Sequence, residues 1–439
     1  MTRWPLLAQL LSRAARMFCG LGLWAMCLST SWGQQPVPTP EGVWTRAQAE
    51  VQALLGSLEA LVGIESGSQD LEGLDRIATW IATALQQAGM QVQILPGHVP
   101  PRSGQVQGER VGPMVLGRLQ GQGQKRVLLI AHMDTVYLQG MLAKQPFRID
   151  GDRAYGLGIS DDKQGIATIL HTVKMLQDLG FREYGTLTVL INADEEISSP
   201  ASRALITQLG AEHDATLSFE ASRAEQDKLA LATAGIASVT LKVLGKASHA
   251  GGAPEQGINA IYELSHQILQ MKDLSDPATG VKMNWTMARG GINRNVIPPA
   301  AEAIADVRVL RLADYDAIEA KVRERVKKQL LPDAKVSLTF ERRRPPLEAS
   351  PASVALGKHA QGIYKEMGMD LVVDAVAEGG GTDAAFAALK TKNAVLERFG
   401  LRGFGAHSSS DEYILISSIE PRLYLAARMV MDVSRGKPN

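Results

Sequence analysis

The sequence predicts an α/β protein whose mostly parallel sheet is interrupted by a smaller α+β domain. Three observations carry this reading. Apolar runs such as "RVLLIA" and "LTVLI" alternate with amphipathic helical stretches in the first half of the chain, the rhythm of a parallel sheet covered by helices. From about residue 236 the pattern becomes β-α-β-β-α-β, the ferredoxin-like order. After "RRRPP" (342–346) helical and strand patterns resume, so the C-terminal part completes the first domain. The 439 residues therefore divide into 1–33, 34–235, 236–343 and 344–439.

Taken in order, "MTRWPLLAQLLSRAARMFCGLGLWAMCLSTSWG" carries Arg3, Arg13 and Arg16, no acid, an apolar run from Met17 to Leu28, and then small residues. That is the layout of a secretory signal peptide cleaved after Gly33. The run is shorter than the roughly 20 residues a membrane span needs. Export to the periplasm or beyond, with no stable membrane association after cleavage, is the expectation. Cys19 and Cys27 both lie in this leader, so cleavage leaves no thiol for a nucleophile, a disulfide or a metal. Lys+Arg and Asp+Glu are both 46, which offers no electrostatic footprint for nucleic acid. Residues 34–41, "QQPVPTPE", read as a Pro-rich linker.

Leu74, Ile77, Ile81 and Leu85 have helical spacing, stopped by Gly89. "VQILP" and "RVLLIA" read as strands. "DDKQGIATILHTVKML" reads as a helix with two acids at its N-terminus, and the strand at 187–191 follows. In the insert, "SVTLKVLG" alternates, "GINAIYELSHQILQM" is an amphipathic helix, and "KMNWTMARG" and "AEAIADVRVL" are strand-like. A helix through Ile318, Val322 and Val326 and the strand "KVSLTFE" close the set.

The chemistry concentrates at predicted strand ends. In "VLLIAHMDTV", His132 and Asp134 are two apart and point to one side. An imidazole whose other N–H meets a carboxylate suits a metal. In "YGLGISDDKQG", Asp161 and Asp162 fit either helix capping or a metal-facing carboxylate. "NADEE" ends a buried strand in Asp194, Glu195 and Glu196. Neighbouring strand side chains face opposite ways, so both glutamates can serve one site only if the strand stops by about Asp194. Glu220 in "LSFEAS" and His407 in "GFGAHSSSDEY" complete a set of N and O donors suited to zinc. No G-x-S-x-G elbow supports serine chemistry.

The ordered series "HMDTV", "GISDDKQG", "NADEE", "SFE", "GKASHAGGAPEQGINA", "GGGTDAAF" and "FGAH" resembles the di-zinc aminoacylase/carboxypeptidase family of metallopeptidases over about residues 45–435. Within it the chain looks most like the bacterial glutamate carboxypeptidases. The resemblance implies a di-zinc exopeptidase-type catalytic domain, an inserted dimerisation domain and two Zn²⁺ per subunit. It implies that His132 and Glu220 bind one zinc, that Glu196 and His407 bind the other, and that Asp161 bridges them. It further implies that Asp134 orients His132, that Glu195 is the general base, and that the Asp161–Asp162 peptide is cis. His249 would reach across a homodimer to the partner's site. Asn295 and Arg308 would hold the substrate's free C-terminal carboxylate, Gly380 and Thr382 would line the cleft, and Lys228 and Arg344 would lie near a glutamate side chain. The expected reaction is hydrolysis of the amide that releases a C-terminal amino acid, glutamate foremost, from an N-acyl-glutamate, peptide or folate-like substrate. The alternative is an N-acyl amino acid deacylase or dipeptidase with an apolar preference. A binding protein without turnover predicts a lost base or ligand, and every such position is filled here. Departures at "DEEISSP" and "HSSSDEY" bear on the substrate cleft rather than on the metal chemistry.

Overall fold

The structure is a computed structural model that describes residues 38–99, 108–378, 380–408 and 410–438. The leader reading at 1–33, and Gly379 and Ser409 of two quoted motifs, lie outside the described residues. No helix among them is long and apolar enough to cross a membrane.

The linker reading at 34–41 is corrected at its end. Thr39 caps a long helix, Pro40–Val62, its hydroxyl oxygen accepting from the Gly42 amide at 3.1 Å. Pro40 occupies the first turn, where no N–H is needed. Val43, Ala47, Leu54, Leu58 and Leu61 form its fully buried stripe. The next helix, Leu71–Gln87, is capped by Asp70 and buries Leu74, Ile77, Ile81 and Leu85.

The main sheet is six-stranded. Its order is Gln91–Val99, Glu109–Gln120, Thr186–Asn192, Arg126–His132, Ala215–Ser218 and Ala394–Leu396. The last four run parallel, while the first two join antiparallel, so the sheet is mixed and its parallel part bears the site. Strand Glu109–Gln120 escapes sequence reading because Gly112, Pro113 and Gly117 break its pattern. Pro113 is tolerated there: it falls at a register shift against the edge strand and outside the Val115–Gln120 pairing with the inner one. Val127, Leu128 and Leu129 are wholly buried, as a strand covered on both faces requires. Helices Pro40–Val62, Gln164–Asp178 and Ile419–Ser434 pack together on one face.

The insert's sheet is antiparallel throughout, in the order Lys282–Gly290, Ala300–Val309, Gly235–Leu244, Lys335–Arg344. Val239, Leu241 and Val243 point to its core, with the intervening residues more exposed, the alternation of a half-buried strand. Helices Ala260–Gln270 and Leu312–Arg325 complete the ferredoxin-like order.

One buried ion pair ties the last helix to the rest of the core. The Arg422 side chain is fully buried and donates to the Asp227 carboxylate, to the Lys228 carbonyl at 3.1 Å and to the Arg398 carbonyl at 2.9 Å. Tyr364 donates its hydroxyl to the other Asp227 oxygen at 2.9 Å. Removing one member leaves the other charge buried and alone. Asp227→Ala should therefore lower unfolding free energy by about 3–5 kcal/mol, measured by urea denaturation.

Candidate metal centre

Three parallel strands end side by side, at His132, Asn192 and Ser218, and the site lies just beyond them, where open α/β sheets place ligands. The His132 Nδ1 lies 3.0 Å from the Asp134 carbonyl, which can only accept, so Nδ1 carries the proton and donates it there. That leaves Nε2 turned toward Asp161 Oδ1 at 3.0 Å and Glu220 Oε1 at 3.4 Å. The second oxygen of Asp161 lies 3.3 Å from His407 Nε2, which is 3.2 Å from Glu196 Oε2. One carboxylate thus faces two histidines, one oxygen to each.

The chain before Asp161 is an irregular turn, not the first turn of a helix. Asp161 and Asp162 have non-helical backbone angles, the peptide between them is cis, and the helix proper is Gln164–Asp178. A buried carboxylate holds this turn. Glu412 accepts from the amides of Gly158 (2.8 Å), Ser160 (2.8 Å) and Asp161 (3.0 Å), and from the Tyr137 hydroxyl at 2.5 Å. Gly158 has φ +70°, a conformation that favours glycine.

The strand before the glutamate pair ends at Asn192, and a turn follows. Asp134 shapes that turn. It is wholly buried, accepts from the Glu195 amide at 3.0 Å and the Glu196 amide at 3.1 Å, and is braced by Ser68 at 2.9 Å. Asp194 closes the far side, accepting from the amides of Ala201 and Ser202. Ser198 and Ser199 take φ of +74° and +54° to let the chain turn back. Pleating no longer applies, so Glu195 and Glu196 both enter the site. Arg344 sets Glu195 apart from the other acids: its guanidinium meets Glu195 Oε1 and the Glu195 carbonyl at 2.7 Å each, and Asp383 at 3.1 Å.

The electrostatics call for added positive charge. Burial and the neighbouring Asp161 push the Glu196 carboxyl up, even with His407 beside it. Burial would keep His132 neutral, but Asp134, Asp161 and Glu220 raise it well above the ordinary imidazole range. Hydrogen bonds to Asp161 and Glu196 take His407 to about 10. Glu196 Oε1 is buried with no hydrogen-bond partner. Two donor groups, His132/Glu195/Glu220 and Asp161/Glu196/His407, each gather their ligand atoms within 4.8 Å. Nitrogen and oxygen donors, an orphaned carboxylate oxygen and crowded like charges fit a pair of divalent cations. Glu195 differs in having an arginine beside it, although burial outweighs Arg344 and still pushes its carboxyl well up.

A cleft of about 630 Å³ opens over these residues, lined also by Arg308, Arg344, Gly380, Thr382 and Phe404. Arg308 also donates to Asp306 at 2.9 Å. Of the expected residues, Lys228 and Arg344 have acidic partners within the protein, while Asn295, and His249, which is expected to act across a homodimer, lie outside this chain's own cleft. Lys228 does not line the cleft: it is buried and held by Asp374 at 2.7 Å and Glu378 at 2.6 Å. Arg344 lines the cleft wall, where its guanidinium is also paired with Glu195 and Asp383. His249 and Asn295 lie together on an exposed part of the insert, joined by the Ala250 amide donating to the Asn295 carbonyl at 2.9 Å, and neither lines this chain's own cleft. Sequence reading missed Glu412, Asp383 and Ser68. Glu412 stands in the quoted "HSSSDEY", but only tertiary proximity gives it a task. Glu412→Gln should weaken metal binding about 10–100-fold, read by chelator competition, with the circular dichroism spectrum retained.

The family model for peptidase family M20/M25/M40 matches residues 128–432. The chain is 46% identical to carboxypeptidase G2 of Pseudomonas sp. (strain RS-16) over 89% of this chain and 92% of that protein. It is 30% identical to an N-acetyl-L-citrulline deacetylase of Xanthomonas campestris over 45% of this chain and 54% of that one. Among solved structures, an M20 family metallo-carboxypeptidase from Sulfolobus solfataricus superimposes with a TM-score of 0.68 at 15% identity, covering 87% of this chain and 98% of that one. A dinuclear metal-binding M20 peptidase of Bacillus subtilis does so at 0.64 and 16% identity, over 88% and 99%. The fold, the double donor group and the matched motifs agree: this chain belongs to peptidase family M20/M25/M40 and is a metallopeptidase-type hydrolase.

Proposed function

We propose that the protein hydrolyses the amide bond that releases a C-terminal amino acid, glutamate foremost, from N-acyl-glutamates, peptides or folate-like conjugates. The observation that carries this is Asp161, one carboxylate shared between two histidine-containing donor groups, beneath a cleft that Arg308 enters. His132, Glu220 and Asp161 would hold one zinc ion, and Asp161, Glu196 and His407 the other. When bound, the ions polarise a carbonyl and lower the pKa of water.

The chain's own residues do the rest. Arg344 pins Glu195 by one carboxylate oxygen and by its main chain, leaving the second oxygen to take a proton from the attacking water and hand it to the leaving nitrogen. Arg308 is suited to the substrate's free carboxylate, because a guanidinium fork matches it with two hydrogen bonds. The insert, 236–343, serves as a dimerisation domain. Leu244, Tyr262, Leu269, Met287 and Ile292 are exposed on it, from 56% to 83%, and strand Lys282–Gly290 is a sheet edge. Exposed apolar side chains and an open edge favour a second copy. His249 and Asn295 then act together in the partner's cleft, the histidine on the carbonyl oxygen. The leader at 1–33 would be removed on export.

A deacylase with an apolar preference is the second reading. It is favoured by the burial of Lys228, which takes one cation away from any acidic side-chain subsite, and by the deacetylase relative.

Glu195→Gln should keep two metal ions per chain and lose about 10²–10⁴-fold in turnover of N-acyl-glutamates, measured by metal analysis and steady-state kinetics. Unchanged turnover would remove Glu195 from the role of base. A panel of hippuryl substrates differing only in the C-terminal residue separates the two readings. If His249 acts across the dimer, mixing inactive His249→Ala and Glu195→Gln chains should restore about a quarter of wild-type activity, from the one intact site of each mixed dimer.

A further inference from the structure

Phe404, Tyr413 and Tyr155 form a row of rings that the mechanism above does not use. They stand on adjacent antiparallel strands, Arg402–Phe404, Tyr413–Leu415 and Arg153–Tyr155. Phe404 is paired with Tyr413, and Tyr413 with Tyr155, so all three share one face of the sheet. Their centroids are 5.6 and 5.5 Å apart. The Arg148 guanidinium lies 3.6 Å over Tyr155 and that of Arg153 lies 4.5 Å over Tyr413, contacts that hold the tyrosine rings in place. The row ends at the cleft. Phe404 is 48% exposed and lines the cleft wall with Gly403, Gly405 and His407. A half-exposed ring, backed by a rigid row and set three residues from a metal-facing histidine, is a stacking surface left open at the mouth of a site.

We infer that Phe404 sets specificity on the acyl side and takes a flat aromatic acyl group, whose ring continues the row Tyr155–Tyr413–Phe404. This rests on the proposed amidohydrolase reading, in which Arg308 takes the free carboxylate of the amino-acid half, and it assigns the strand end at Phe404 to the acyl half. The two tyrosines and their arginines keep the Phe404 ring in position, so little ordering is left to the moment of binding.

The test uses the purified enzyme with acetyl-, benzoyl- and 2-naphthoyl-glutamate. Wild-type kcat/KM should rise with ring size. In Phe404→Ala the naphthoyl-to-acetyl ratio of kcat/KM should fall about tenfold, mostly through KM, and Phe404→Trp should restore it. A ratio that does not move, or an equal loss on all three substrates, overturns the inference. If the wild type turns over none of them, the amidohydrolase reading fails. Calorimetric titration of wild type and Phe404→Ala with 2-naphthoate then decides the ring site alone: tighter binding by wild type supports it, and equal or absent binding overturns it.

Discussion

Asp134 is the constraint on which the rest of the site depends. It is a fully buried carboxylate that sits beside the Nδ1 face of His132 and receives the amides of Glu195 and Glu196. A buried charge is tolerated only when its oxygens are met by donors, and here the donors belong to the residues that must be placed. The same hydrogen bonds that satisfy Asp134 end the pleat after Asn192 and turn two consecutive glutamates into one cavity. The neighbouring Asp194 does the matching work on the outer side of the turn, through the amides of Ala201 and Ser202.

Around this anchor the protein gathers more negative charge than its own cations neutralise. Arg344 attends to Glu195 and Asp383, and Glu412 is met by three main-chain amides and a phenol. Glu196 keeps an unpartnered oxygen, and both histidines are driven toward their charged forms. Like charges this close are stable together only with a cation among them. The split between acids with protein partners and acids without them separates positioning groups from candidate ligands. Glu195 stands within reach of His132 and Glu220 and is also paired with Arg344.

The insert follows a different logic. Its fold is local and regular, and its alternating strands were legible from their periodicity. Several of the residues expected at the site belong to it. His249 and Asn295 share a hydrogen-bonded stretch of exposed backbone and lie away from the cleft of their own chain. Lys228 shows the converse: a motif match put a cation near the substrate, while two acids, Asp374 and Glu378, hold it inside the protein.

The sequence by itself determined the α/β class, the ferredoxin-like insert, the donor residues at strand ends and the need for a turn at Glu195–Glu196. Each of these is local, set by hydrophobic period or by the cost of adjacent like charges. The helix beginning at Pro40 and the strand around Pro113 escaped, because proline masked a cap in one case and a register shift in the other. Only the tertiary structure decided which acids are neutralised by protein groups, because Arg344, Asp383 and Glu412 reach the site from segments far apart in the chain. It also decided that Lys228 is buried, that Asp134 holds the glutamate turn as well as His132, and that Phe404 heads an aromatic row at the cleft. Pairings between distant strands leave no period in the sequence from which they could be read.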